Sequence, residues 1–122
     1  MIKKKILITD DDEDIRAGLS DLLKFDGYDV LEAAGGEEAL LKARLEKPDL
    51  ILLDTLMPGM DGIEACRRIK QVENIPAKVI VYTAKMDAID AVRAREFGVD
   101  DYCIKGENPE FLLRAIKGIL AE

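Results

Sequence analysis

Apolar positions along the chain recur with two periods. Short aliphatic runs such as ILIT (6–9), LILL (50–53) and VIVY (79–82) alternate with longer stretches in which apolar residues return every three or four positions. Runs of the first kind suit strands buried on both faces, and the longer stretches suit helices that bury one stripe. The pattern predicts strands over residues 5–10, 29–33, 49–54, 78–82 and 101–104. Helices are expected over 13–25, 37–46, 62–71, 88–97 and 109–120. Ile15, Leu19, Leu22 and Leu23 share one face of the first helix, and Phe111, Leu112, Ala115, Ile116 and Ile119 one face of the last.

Turn chemistry agrees with this division. Gly27, Gly98 and the Pro48 region stand where helices must stop, and Asn108 is a ready N-cap before Pro109 in the first helical turn. Strand then helix, five times over, is an α/β signature. Right-handed crossovers make the sheet parallel, with helices on both faces. The chain shows no repeat, low-complexity tract or linker, so its 122 residues are expected to form one domain, 1–122. A domain of that size buries enough surface to need neither disulfide nor structural metal for stability.

Composition narrows the chemistry mainly by what is missing. With no histidine, the chain has no histidine-based triad, no histidine metal site and no phosphohistidine of its own. Its one serine, Ser20, sits in an apolar-periodic stretch with no base to activate it. Cys66 and Cys103 lack metal or redox spacing and are expected to be small buried hydrophobes in a reducing compartment. A net charge of −7 argues against direct binding to nucleic acid or to an anionic membrane. No apolar run approaches membrane-spanning length, and the cytoplasm is the expected location.

Parallel strands all end at one sheet edge, where ligands bind in open α/β folds. The first strand runs into Asp10, Asp11, Asp12, Glu13 and Asp14, the third into Asp54, the fourth into Thr83 and the fifth into Lys105. Carboxylates crowded in this way are relieved by a hard divalent cation, for which Mg²⁺ is the usual choice. A carboxylate beside that cation can act as a nucleophile towards phosphorus, with an ammonium and a hydroxyl offsetting charge on the phosphoryl oxygens. Separately, each feature has an ordinary explanation: helix-start acids, a strand-end threonine and a surface lysine. Together at one edge they point to a phosphoryl site.

These segments resemble the receiver domain of two-component response regulators, of the chemotaxis-regulator type. The likeness is carried by ILITDDDEDIR (6–16), PDLILLDTLMPGMDG (48–62), VIVYTAK (79–85) and DYCIK (101–105), and covers nearly the whole chain. It implies a doubly wound, five-stranded parallel sheet in the order 2-1-3-4-5, a flavodoxin-like (βα)5 fold. Asp54 is then the phosphoacceptor. Asp11 and Asp54 hold Mg²⁺ directly, Asp10 mostly through water, and the Leu56 backbone carbonyl completes the protein ligands. Thr83 donates to one phosphoryl oxygen and Lys105 pairs with another, while Tyr102 occupies the switch-aromatic position. Leu56 and Lys85 take the variable positions flanking the phosphate. The implied function is a phosphorelay switch, fed by a sensor histidine kinase or phosphotransfer protein and read by a downstream effector protein or domain. The only catalysis implied is of the chain's own aspartyl phosphorylation and dephosphorylation.

The sequence departs from the family at one telling point, since Gly106 stands where such proteins usually follow the lysine with a cis proline. A cis bond before a non-proline residue costs about 3 kcal/mol, so a trans 105–106 bond or a rebuilt loop is expected, with a less certain place for the Lys105 amine. A phosphatase of the haloacid-dehalogenase kind would need a DxD pattern followed by Thr or Val after the first strand, and the run DDDED does not provide it. A module that binds partners without phosphorylation is the third alternative, which the full acid set disfavours. Ile15 stands where an EF-hand loop needs glycine, which removes that reading.

Overall fold

The computed structural model describes residues 3–84 and 88–121. Five parallel strands, β1 (Lys5–Thr9), β2 (Asp29–Ala33), β3 (Leu50–Leu53), β4 (Lys78–Thr83) and β5 (Asp101–Ile104), lie in the order β2-β1-β3-β4-β5. Five helices connect or follow them: α1 (Glu13–Phe25), α2 (Gly36–Glu46), α3 (Gly62–Arg67), α4 (Ala88–Glu96) and α5 (Pro109–Leu120). This is the expected doubly wound (βα)5 arrangement.

Strand alternation sorts the core into two layers. Ile6, Ile8, Leu50, Leu52 and Ile80 face α1 and α5, where Leu19, Leu23, Leu112 and Ile116 meet them. On the other side Leu7, Ile51, Leu53 and Val79 pack with Ala39, Leu40 and Ala43 of α2 and with Ala65 and Cys66 of α3. Every residue of β3 is buried, and full burial of one such leucine is worth roughly 1.5–3 kcal/mol.

Capping residues set the helix starts. The Asp12 carboxylate accepts from the Asp14 and Ile15 N–H groups at 2.9 and 3.2 Å, and Asn108 accepts from Glu110 N–H at 3.0 Å. The third helix departs from expectation. In place of one helix over 62–71, α3 gives way at Arg68 to a π-helical turn, Arg68–Val72, in which Glu73 N–H donates to the Arg68 carbonyl at 2.9 Å. This wider turn keeps Ile69 buried while Lys70 pairs with Asp100 at 2.8 Å and the Gln71 amide donates to the Glu96 carbonyl at 2.9 Å. Smaller shifts place the strand ends at Thr9 and Leu53. Asp10 and Asp54 nevertheless continue the ladder, their N–H groups donating to Ala33 and Thr9 carbonyls at 3.1 and 3.0 Å. No helix among the described residues is long and apolar enough to cross a membrane.

Candidate functional site: an acidic pocket at the sheet edge

The ends of β1 and β3 bring Asp10, Asp11 and Asp54 together, with ligand oxygens that all lie within 4.8 Å of one another. Asp10 and Asp54 are buried and Asp11 is exposed, so the cluster opens to solvent on one side. The rest of the acidic run serves the helix instead. Asp12 caps α1, while Glu13 and Asp14 sit in its first turn, where the helix dipole favours negative charge. The Asp10 carboxylate is fixed by Asp12 N–H at 2.9 Å, and its backbone carbonyl accepts from the Arg16 guanidinium at 2.7 Å. Arg16 also reaches Glu32 at 3.4 Å, a support on α1 that sequence reasoning did not single out.

Asp54 owes its place to the loop that follows it. Met57 and Met60 are buried anchors on either side of a turn at Gly59, whose φ of 79° is a left-handed conformation suited to glycine. Asp61 then caps α3 by accepting from Glu64 N–H at 2.8 Å. Gly62 has no room for a side chain, since a Cβ there would lie 2.0 Å from the Asp54 carbonyl oxygen. The order Met-Pro-Gly-Met-Asp-Gly is thus a packing device that presses the start of α3 against the backbone of Asp54.

Lys105, from the end of β5, closes the pocket. Its Nζ lies 2.5 Å from Asp10 Oδ2 and 3.1 Å from Asp54 Oδ2, and its N–H donates to the Thr83 carbonyl at 2.7 Å. Burial opposes the ammonium charge, but hydrogen bonds to Asp10 and Asp54 outweigh it and hold the lysine pKa above its ordinary value. Burial pushes the Asp54 carboxyl up, against the lowering effect of its hydrogen bonds from Leu56 N–H and Lys105. The place of the Lys105 amine, left open by the absence of the proline, is between the Asp10 and Asp54 carboxylates. No cis peptide occurs among the described residues, and Gly106 takes φ 87°, so a glycine turn delivers the amine to both carboxylates.

Of the other predicted residues, Leu56 and Thr83 lie beside this pocket. Leu56 is 69% exposed, with its N–H 3.2 Å from Asp54 Oδ1. Thr83 is fully buried, and its hydroxyl lies 2.6 Å from that of Thr55. Sequence reasoning passed over Thr55, although a second hydroxyl directly after Asp54 was a usable signal once β3 and β4 are aligned. Tyr82 packs below the lysine, its ring centre 5.9 Å from Nζ. Tyr102 is 54% exposed at the outer edge of the sheet. Lys85 lies outside the described residues. Cys66 is buried as expected and Cys103 only half-buried, since β5 is an edge strand; burial pushes their thiols up to about 12 and about 11.

Three oxygen donors with one open side suit a hard cation that keeps several waters, and the neighbouring ammonium limits their repulsion before one arrives. Known proteins share this fold. The chain is 44% identical over 119 residues to the alkaline phosphatase synthesis transcriptional regulatory protein PhoP of Bacillus subtilis, covering 98% of this chain and 49% of that protein. It spans about half the length of such relatives. The Vibrio cholerae chemotaxis protein CheY4 superposes with a TM-score of 0.90 at 31% identity, over 98% of this chain and all of that one. The Thermotoga maritima response regulator TrrA, solved in complex with Mg²⁺ and beryllofluoride, gives 0.86 at 34% identity, over 96% and 99% of the two chains. Residues 6–117 match the family described as the response regulator receiver domain. The chain belongs to that family, whose general function is phosphorylation on an aspartate with Mg²⁺ bound at an acidic pocket, a signalling role and not a metabolic one.

Proposed function

We propose that residues 1–122 act as a single receiver domain whose phosphoacceptor is Asp54. The observation that carries this reading is the placement of the Asp54 carboxylate. It is buried at the end of an apolar strand, held at one oxygen by Leu56 N–H and at the other by Lys105, with Asp10 and Asp11 beside it. A carboxylate so oriented is a nucleophile with one direction of attack.

In the transfer step an Asp54 carboxylate oxygen forms a bond to phosphorus as the bond from phosphorus to a partner's histidine nitrogen breaks. The released imidazole keeps the electron pair of that bond. Asp10, Asp11 and Asp54, with the Leu56 carbonyl, would hold Mg²⁺, which when bound supplies positive charge against the phosphoryl oxygens. Lys105 shifts from its carboxylate pairing to a phosphoryl oxygen, and the Thr83 hydroxyl donates a hydrogen bond to another. The chain's own catalysis is confined to gaining and losing this phosphoryl group. Asp54 phosphorylation then biases the face made by α4, β5 and α5, where Tyr102 is the aromatic element of the switch. The donor is a sensor histidine kinase or phosphotransfer protein, and the reader is an effector protein or domain. With its charge of −7 this module does not itself bind nucleic acid or membrane, and it works in the cytoplasm.

Intact mass after incubation with acetyl phosphate tests the assignment. One phosphoryl adduct that needs both Mg²⁺ and Asp54 is the expected result. Equal labelling of a folded Asp54→Ala protein overturns it.

A further inference from the structure

Two threonine hydroxyls meet directly behind the proposed phosphoryl site. Thr55, the residue after Asp54, and Thr83, at the end of β4, place their Oγ1 atoms 2.6 Å apart, with both side chains buried. Leu53 and Val81 are register partners across β3 and β4, so residues 55 and 83 continue the same row two positions on. Among the described residues the Asp54 carboxylate takes hydrogen bonds from Leu56 N–H and Lys105, and the Thr83 hydroxyl pairs with that of Thr55.

We propose that Thr55 is a positioning residue that holds the Thr83 hydroxyl in its unphosphorylated arrangement, so that a phosphoryl group on Asp54 must compete with Thr55 for it. This rests on the reading of Asp54 as phosphoacceptor and Thr83 as a donor to it. Either threonine can be the donor in the resting pair. Drawing Oγ1 of Thr83 towards a phosphoryl oxygen lengthens a 2.6 Å contact whichever proton it holds. The Thr55 hydroxyl, whose side-chain partner among the described residues is Thr83, is then left buried without one. An unpaired buried hydroxyl is more costly than the bond was worth, so the pair favours the resting arrangement. A ligand that needs the other arrangement binds less tightly by the fraction of molecules the latch withholds.

Titration with beryllofluoride in excess Mg²⁺, followed by calorimetry, tests the latch. Thr55→Val keeps the side-chain shape and removes the hydroxyl. It is expected to lower the half-saturating concentration roughly fivefold, the factor equivalent to one neutral hydrogen bond. Mg²⁺ affinity measured alone stays at the wild-type value, and Thr55→Ser restores the wild-type beryllofluoride affinity. In a Thr83→Ala background Thr55→Val has no further effect. If Thr55→Val does not fold, Thr55→Ala is titrated in its place. Unchanged or weaker beryllofluoride binding in the folded variant overturns the latch alone. Wild-type protein that binds no beryllofluoride overturns the reading of Asp54 and the latch with it.

Discussion

The two halves of the pocket are built differently. The half that presents carboxylates grows from β1 and β3, the interior strands, where every residue from Ile6 to Thr9 and from Leu50 to Leu53 is buried. The half that presents Thr83 and Lys105 grows from β4 and the edge strand β5, whose Tyr102 is exposed and whose other residues are half-buried. Among the described side chains of α4, Ala94 is the buried one, whereas α1 buries Leu19, Ser20 and Leu23. A site that binds a cation and a phosphoryl group needs its oxygen donors fixed beforehand. A site that reports on occupancy needs neighbours that move for a small change in free energy. Under the proposed function the chain separates these demands, with the buried strands at the centre of the sheet serving the first and the less buried edge the second.

Core truncation on each side should expose the difference most strongly. Leu52→Ala is expected to cost about 3 kcal/mol in urea unfolding, while Ile104→Ala on half-buried β5 costs about 1 kcal/mol. Equal losses would mean that the edge is as rigid as the centre.

Mg²⁺ sharpens the contrast from the ligand side. At ten times its dissociation constant it should add about 1.4 kcal/mol to unfolding free energy, and Asp54→Asn should lose most of that gain. Burial sets the Asp54 pKa above its ordinary 3.8, so the gain starts to fade at a higher pH than a free aspartate would dictate. The sign reverses without metal. The folded state then binds the Asp54 proton more readily than the unfolded state, so acidification from the raised pKa down to 3.8 is stabilising for this group. Calorimetric melts with and without Mg²⁺ across that window check both signs.

The smallest effect belongs to the surface of the carboxylate-bearing half. Arg67, with help from Arg68, holds Glu64 down at about 2 from an ordinary 4.5. Its contribution is present above pH 4.5 and is lost progressively as pH falls through about 2. Because the pair faces solvent, Glu64→Gln should cost less than about 1 kcal/mol at neutral pH, a cost that shrinks steadily as pH falls from 4.5 through the lowered pKa, read from urea midpoints.

Local signals carried much of this architecture. The Asp12 and Asn108 caps place the starts of α1 and α5 where the sequence puts them, and the apolar run at 50–53 marks β3 to within a residue at each end. The acid cluster was legible because parallel strands deliver their ends to one edge. What was not legible depends on contacts between distant segments. The π-helical turn at Arg68–Val72 answers to Asp100 and Glu96, thirty and twenty-five residues away from their partners, and no periodicity within 62–71 encodes it. The Thr55 and Thr83 pair needs the β3–β4 register before two unremarkable threonines become neighbours. The reach of Lys105 depends on the left-handed turn at Gly106, which the sequence marked as a departure without revealing where the amine would go.

Tyr82 gives the site an optical property. The chain contains three tyrosines and no tryptophan, so tyrosine emission is not drained by energy transfer to an indole. One of these rings lies 5.9 Å from the ammonium that bridges Asp10 and Asp54. Any event that moves Lys105 changes the electric field at that ring, and the ultraviolet spectrum of the unlabelled protein becomes a record of the pocket's charge.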